Sequence, residues 1–171
     1  MVEILFAPWR LEYVSAADTR DRTKCVFCSA FESKDDRATL TLRRDPASFA
    51  LLNLYPYTTG HAMVAPIRHC SDLADVDVET LSEMMNTVKD LMAAMRELYR
   101  PHGFNVGFNV GEAAGAGIEE HLHLHVVPRW NADNNMMTVI GGSRVIPEDL
   151  GRTLERMVGA LQTIRGNADD V

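Results

Sequence analysis

The stretch that decides the fold is His121-Leu-His-Leu-His-Val-Val127, in which histidine alternates with an apolar residue. Alternate side chains of an extended strand point to the same side, so the pattern predicts a strand with three imidazoles on one face and an apolar stripe on the other. A buried imidazole needs a hydrogen-bond partner, and three in a row are not explained by packing alone. The stretch therefore predicts a functional site on one face of a sheet.

Two kinds of site fit three histidines at this spacing: a His-x-His metal pair, and a nucleophilic imidazole that its neighbours position. At about 3.3 Å per residue, the Cα atoms of His121 and His125 lie roughly 13 Å apart, which is too far for one ion to bind all three histidines. We therefore expect the three histidines to have different roles.

The segments before this strand predict more of the sheet and a loop beside it. Two apolar runs flank a Pro/Thr/Gly segment, which predicts a hairpin with strands near residues 49–54 and 61–66. The alternating run GFNVGFNVG, residues 103–111, predicts a further strand that leads into a glycine-rich loop at residues 111–117. Because glycine lets the main chain approach a ligand closely, the N–H groups of this loop are candidate donors to a phosphate.

Two segments have the apolar period of a helix. Apolar residues at i, i+3 and i+4 predict a long helix between Asp77 and Tyr99, with Asp77 as its N-cap and Pro101 just beyond its end. The segment from Pro147 to Ile164 has the same period and predicts a C-terminal helix.

Composition limits the class of protein. The chain has 171 residues, 46% of them apolar, and a net charge of -7, which describes one globular domain and argues against a general nucleic-acid binder. No run approaches the roughly 18 consecutive apolar residues of a membrane span, and three cysteines are an odd number. We therefore expect a cytoplasmic protein that contacts neither nucleic acid nor membrane.

The motif at residues 121–127 matches the His-x-His-x-His-x-x signature, with x apolar, and so resembles the histidine triad (HIT) family. The segments 59–66 and 105–117 extend this resemblance, which covers roughly residues 20–165. It implies an α+β domain in which a five-stranded antiparallel sheet is combined with one long helix and one C-terminal helix, paired into a homodimer. It also implies nucleotidyl transfer through a covalent nucleotidyl-histidine, with His123 as the nucleophile and His125 holding phosphate oxygens or protonating the leaving group.

The resemblance also implies the residues that hold the substrate. Asn53 matches a residue that binds the ribose hydroxyls, although an asparagine at a strand end also commonly turns the chain. Asn109 resembles the polar residue that faces the phosphate or ribose, and Asn105 is an alternative for that position. His61 resembles a fourth histidine that orients the triad from behind. The remaining assignments are Gly115 and Gly117 in the phosphate loop, with Arg129 and Arg144 left out of the catalytic set.

Cys25 and Cys28 have the CxxC spacing of metal ligands and of a redox pair. No strand-helix-strand context favours the redox interpretation, while a reduced pair without a function stays open. The resemblance to zinc-bearing bacterial members of the family adds His69 and His121 as the other two ligands. A complete set of two cysteines and two histidines would hold a structural zinc ion and tie the N-terminal arm to the sheet.

Within the family, residues 128–137 and the segments 53–61 and 100–107 resemble phosphorylases of diadenosine tetraphosphate, which release ADP and ATP with inorganic phosphate as acceptor. Hydrolysis of dinucleoside polyphosphates or nucleoside phosphoramidates is the alternative, and a non-enzymatic nucleotide-binding scaffold is a further one. A zinc hydrolase with the triad as metal ligands is a third. The expected organisation is an N-terminal arm at residues 1–24, the domain at residues 25–165 and a frayed tail at residues 166–171.

Overall fold

The computed structural model describes residues 24–131, 133 and 146–169, with side chains described as far as residue 166. Arg144 and most of the N-terminal arm lie outside these residues. The described elements, in chain order, are α1 (Val26–Glu32), β1 (Thr41–Arg44), β2 (Ser48–Leu52), β3 (Ala62–Pro66), α2 (Val78–Tyr99), β4 (Gly103–Phe108), β5 (Leu124–Arg129) and α3 (Leu150–Asp169), with short 3-10 helices at Leu73–Asp75 and Glu112–Ala114. No described helix is long and apolar enough to cross a membrane.

The five strands form one sheet in the order β1-β2-β3-β5-β4, and every neighbouring pair is antiparallel. This confirms the predicted α+β fold with a five-stranded antiparallel sheet. The strand β4 forms one edge of the sheet, and β5, which carries the last histidine of the motif, lies between β3 and β4.

The two faces of the sheet are covered differently. Alternate residues of β2, β3 and β5, such as Leu52, Val64 and Val126, pack against α2 in the larger core, and α3 completes this core by packing on α2 and β1. The residues between them, such as Phe49 and Met63, face the other side and pack against α1, whose Phe27 is 1% exposed. The Phe27 ring also packs against His121 and His123, so α1 covers the start of the histidine motif.

The long helix begins and ends where its sequence predicts. The Asp77 carboxylate accepts a hydrogen bond from the backbone N–H of Thr80 at 2.7 Å, which caps α2. At the other end Arg100 adopts φ 48°, and Pro101 follows it. The helix buries Met84, Val88, Leu91 and Met95 against the sheet, so its methionines include core residues.

The predicted strand at residues 121–127 is shorter than expected at its start, because the ladder between β3 and β5 ends at the pair Val64 and Leu124. The same register would place Ala65 opposite His123 and Pro66 opposite Leu122, and Pro66 has no N–H to donate. The N–H of Leu122 instead donates to the Cys70 carbonyl oxygen at 2.6 Å. His121 and His123 therefore precede the strand, and only His125 lies within it.

Other boundaries also differ from the sequence predictions. The first hairpin strand ends at Leu52, since the side chain of Asn53 accepts from the N–H of Tyr55 at 2.9 Å and turns the chain. The C-terminal helix begins at Leu150, where Asp149 accepts from the N–H of Arg152 at 2.9 Å. It continues to Asp169, so residues 166–169 of the expected tail are helical.

Candidate functional site

Four predicted metal ligands converge at the start of α1. Cys25 precedes the helix and Cys28 lies in its first turn, while His69 follows β3 and His121 precedes β5. The Nδ1 atom of His121 lies 3.3 Å from Cys25 Sγ and 3.6 Å from Cys28 Sγ, and His69 Nδ1 lies 3.3 Å from Cys28 Sγ. All four ligand atoms are within 4.8 Å of one another. Three separate segments are therefore joined at one point.

These separations fit a tetrahedral metal ion. Bond lengths of 2.3 Å to sulfur and about 2.0 Å to nitrogen place the two kinds of ligand atom about 3.5 Å apart in a tetrahedron. The Nε2–H of His121 donates to the Pro66 carbonyl oxygen at 2.9 Å, so the lone pair of the neutral ring is on Nδ1, which faces the thiols. Burial, with the neighbouring Cys25, raises the pKa of the Cys28 thiol to about 11 without a cation. A bound cation would favour the thiolate.

His123 is held as a neutral imidazole with one open nitrogen. Its Nδ1 lies 2.9 Å from the carbonyl oxygen of His121, so Nδ1 carries the proton and Nε2 carries the lone pair. The residue is 3% exposed, and its burial lowers the pKa of the imidazole. The Phe27 ring, with its centroid 4.8 Å away, covers one side of it. A neutral ring with a fixed lone pair is the form that a nitrogen nucleophile requires.

His125 is held in the opposite tautomer. The backbone N–H of Tyr57 donates to His61 Nδ1 at 3.1 Å, so the proton of His61 is on Nε2. That Nε2–H donates to His125 Nδ1 at 2.9 Å, which leaves Nε2–H of His125 as a donor. Burial, with the neighbouring His123, lowers the pKa of His125 to about 4. His61 is 1% exposed and contacts the ring of His125 through this hydrogen bond.

His123 and His125 line a cavity of about 1340 Å³. Part of its lining comes from α1 and β2 and includes the apolar side chains of Phe27, Ala30 and Leu51. The other end is lined by the turn after β2, by β4 and by the end of β5. The predicted substrate residues Asn53, Asn109, Gly115 and Gly117 all line this cavity. Its volume exceeds the several hundred Å³ common for sites of small ligands, so it has room for an extended one.

The glycine-rich loop offers fewer backbone donors than its sequence predicts. The N–H groups of Ala114, Gly115 and Ala116 donate to carbonyl oxygens of the same loop, at 3.2, 2.8 and 3.3 Å. These groups stabilise the 3-10 turn at Glu112–Ala114, and Gly115 closes it with φ 85°. The expectation that the whole of residues 111–117 donates to a phosphate is therefore wrong for these three amides.

The sequence does not reveal an ion pair that lines the cavity, between Arg129 and Asp133. Arg129 at the end of β5 donates to the Asp133 carboxylate from Nε at 2.5 Å and from Nη2 at 2.9 Å. Its Nη1 donates to Asn105 Oδ1 at 2.8 Å, so Asn105 is held by the arginine. All three residues line the cavity. The alternation of side chains along the strand is the feature that could have indicated Arg129, because it places this residue on the same face of β5 as His125.

A buried neutral imidazole, with no described residue bonded to its Nε2, lies next to an imidazole that presents Nε2–H, and this arrangement has the chemistry that nucleophilic catalysis by histidine requires. The sequence profile of the HIT domain matches residues 35–132 of the chain. The chain therefore belongs to the HIT domain family.

Two kinds of relative support this assignment. The AP-4-A phosphorylase of Mycobacterium tuberculosis is 40% identical over 154 residues, which cover 87% of this chain and 79% of that protein. A zinc-bound histidine triad family protein from Mycobacterium smegmatis superposes with a TM-score of 0.68 at 28% identity, covering 85% of this chain and 98% of that chain. A histidine triad nucleotide-binding protein from Sulfolobus tokodaii has the same fold, with a TM-score of 0.66 at 24% identity over 82% of this chain and 94% of that one.

Proposed function

We propose that the protein is an enzyme that phosphorolyses diadenosine tetraphosphate to ADP and ATP through a covalent nucleotidyl-His123. The observation that carries this proposal is the pair of opposite tautomers, an open Nε2 on His123 and a donor Nε2–H on His125, at one cavity. The choice of substrate is supported by the 40% identity to the AP-4-A phosphorylase of Mycobacterium tuberculosis.

In the first half of the reaction, Nε2 of His123 attacks the α-phosphorus of one adenosine. A P–N bond forms, and the bond from that phosphorus to the bridging oxygen breaks, so ATP leaves and adenylyl-His123 remains. The Nε2–H of His125 donates to the leaving oxygen and offsets its developing charge. The proton on Nδ1 of His123 stays bonded to the His121 carbonyl, which stabilises the charge that the ring gains.

In the second half, an oxygen of inorganic phosphate attacks the same phosphorus and the P–N bond breaks, which releases ADP and restores the imidazole. His125 keeps its Nε2 proton throughout and again donates a hydrogen bond to oxygen at the reacting phosphorus, while the proton carried by the attacking phosphate passes to ADP or to solvent. Water in place of phosphate would give AMP, so the acceptor alone separates the phosphorylase from the hydrolase alternative.

The cavity suggests how the substrate lies. The part of the cavity beside Phe27 and Leu51 fits a nucleobase, because these apolar side chains offer a surface against which a flat ring can pack. Asn53 lies between that end and His61, and its amide nitrogen is 3.4 Å from His61 Nδ1, which supports a role beside the ribose. Asn109, Gly115 and Gly117 line the wall on the side of the phosphate loop.

We assign zinc to the four-ligand cluster. Two thiols and two imidazoles in a tetrahedron are the ligands that zinc prefers, and four protein ligands leave no open position for chemistry. When bound, the ion would cross-link the structure, because it would join α1 to the segment that follows β3 and to the segment that precedes β5. Among the described residues only His121 of the triad belongs to a metal cluster, which favours this site over the zinc hydrolase alternative.

A homodimer and a cytoplasmic location complete the proposal. The strand β4 is a sheet edge, and Val106 on it is 41% exposed, so a second copy pairing there would cover unpaired backbone and apolar surface. Thiol ligands require a reducing compartment, which the cytoplasm provides.

The test is product analysis of diadenosine tetraphosphate incubated with the protein, with and without inorganic phosphate. Equal ADP and ATP, formed only with phosphate, is the expected result. AMP and ATP formed equally well without phosphate would establish the hydrolase instead, and no turnover would favour the nucleotide-binding scaffold. A His123→Asn variant should give no products yet bind nucleotide within about tenfold of the wild type.

A further inference from the structure

The walls of the cavity carry almost no charge. Of the described side chains that line it, only Arg129 and Asp133 are charged, so Arg129 is the one cation among them. The proposed substrate is a polyanion, and the protein itself has a net charge of -7. A polyanion that enters this cavity therefore depends on local donors, and the position of Arg129 relative to the histidines becomes important.

Arg129 lines the same cavity as His123 and His125 and lies beyond His125 along β5, on the side where we expect the leaving group to extend. In a displacement at phosphorus the attacking and leaving atoms are roughly in line, so a chain expelled by His123 points away from it, past His125. Val127 and Arg129 follow His125 on the same face of β5. The guanidinium turns back along this face, because it bonds to Asn105, whose register partner is Val127. The paired residues Asn105 and Val127 lie two residues along the strand from His125, a distance of about 7 Å.

The guanidinium is oriented but not saturated. Its bonds to Asp133 and Asn105 use three of the five N–H groups of an arginine, and among the described residues none bonds to the other two, one on each terminal nitrogen. Asp133 is 13% exposed at its side chain, whereas Arg129 is 41% exposed, so the acid lies behind the arginine and fixes its plane. Because Asn105 accepts with its oxygen, its amide N–H groups are turned away from the arginine.

We infer that Arg129, positioned by Asp133 and Asn105, binds the distal phosphates of the leaving nucleotide and thereby selects substrates with a long phosphate chain. The inference rests on the proposed function and names the residue that recognises the chain at that site. A planar fork of N–H donors matches the oxygens of a phosphate, which a lysine would not reproduce. Substrates with a short leaving group do not reach the guanidinium and gain nothing from it.

The first test compares two substrates in an Arg129→Gln variant. With diadenosine tetraphosphate, kcat/KM should fall about 10- to 100-fold, the effect of losing hydrogen bonds between charged groups. With adenosine 5′-phosphoramidate, whose leaving group carries no phosphate, kcat/KM should change less than about twofold. Equal losses with both substrates would overturn the inference, because they would indicate a structural role.

Two control variants separate charge from structure. Asp133→Asn breaks the ion pair but keeps the cation, so it should keep most of the preference for the long chain. Arg152→Gln makes the same change in net charge on α3, where the side chain is 73% exposed, and should behave as the wild type. If Asp133→Asn lost the preference as fully as Arg129→Gln, the inference would fail.

A binding measurement does not depend on turnover. Isothermal titration with a methylene-bridged analogue of diadenosine tetraphosphate, and with AMP, should show that Arg129→Gln raises the Kd of the analogue about tenfold or more while the Kd of AMP is unchanged. A wild-type protein that binds the analogue no more tightly than AMP would refute the role of Arg129. This result is distinct from failure of the proposed function, which would appear as absent turnover with the binding difference intact.

Discussion

Acidification should destabilise the protein through His125 in a defined pH range. Burial lowers the pKa of this imidazole to about 4 in the folded protein, whereas a histidine in an unfolded chain titrates near 6.5. Between these pH values the unfolded state binds a proton that the folded state does not. The free energy of unfolding therefore falls as the pH falls through this range, and the neutral ring contributes its full stability above pH 6.5.

The size of the effect follows from the two pKa values. One proton of difference corresponds to about 1.4 kcal/mol per pH unit, so lowering the pH from 7 to 4.5 should remove about 2 kcal/mol of stability through His125. The measurement is urea denaturation at a series of pH values for the wild type and a His125→Gln variant. The variant should lose about 2 kcal/mol less over the same range.

The comparison isolates His125 because both proteins keep the metal cluster, so loss of metal in acid contributes equally to both. A His102→Gln variant removes an exposed imidazole and controls for the loss of any histidine. If the stability curves of the wild type and His125→Gln ran parallel from pH 7 to 4.5, His125 would not be a neutral buried base. The tautomer assigned through His61 would then lose its support.

Two further perturbations test the metal cluster and the cavity wall. Cys28→Ser should lose bound zinc and lower Tm by about 10 °C, because an ion present at a thousand times its Kd contributes about 4 kcal/mol of stability. Metal analysis measures the zinc content and calorimetry measures Tm. Cys70→Ser is the control and should keep its zinc, because its thiol lies outside the cluster. Gly107→Val should fold normally, since a Cβ there meets no atom within 4 Å, yet lower kcat/KM about tenfold or more by filling the cavity opposite His125. Gly103→Val also meets no atom and does not line the cavity, so unchanged activity in Gly107→Val, or an equal loss in both variants, would contradict the proposed position of the substrate.

The sequence predicted the parts of the fold whose pattern is local. The helix α2 has an apolar period, an N-cap at Asp77 and a proline after its end, and all three signals are independent of the rest of the chain. The start of β5 was not predictable in this way, because it depends on Pro66, 58 residues before Leu124, lying opposite the position where the ladder would continue. The helix α1 has only seven residues, too few for a clear period, and its position depends on contacts across the chain.

In the site, too, the sequence predicts what depends on a local pattern and does not predict what depends on residues distant in the chain. The alternation predicts that the three histidines share one face, and their spacing argues against one metal ion bound to all three. The sequence does not indicate which ring nitrogen of each histidine carries the proton. That is decided by partners distant in sequence, the Pro66 carbonyl for His121 and the His61 ring for His125. The sequence alone does not assign Arg129 to the site, because an isolated arginine is usually solvated. Its pairing with Asp133 and Asn105 becomes visible only when β4 and β5 are aligned.

His121 links the metal cluster to the nucleophile through two different groups. Its imidazole faces Cys25 and Cys28, while its backbone carbonyl accepts the Nδ1–H of His123. A metal ion on the imidazole would fix the residue that sets the tautomer of the nucleophile, without contacting the substrate. A one-residue shift of this segment would break both functions, since it would turn the imidazole away from the thiols and the carbonyl away from His123. The alternation of the motif is therefore required twice, once by the metal ligands and once by the nucleophile.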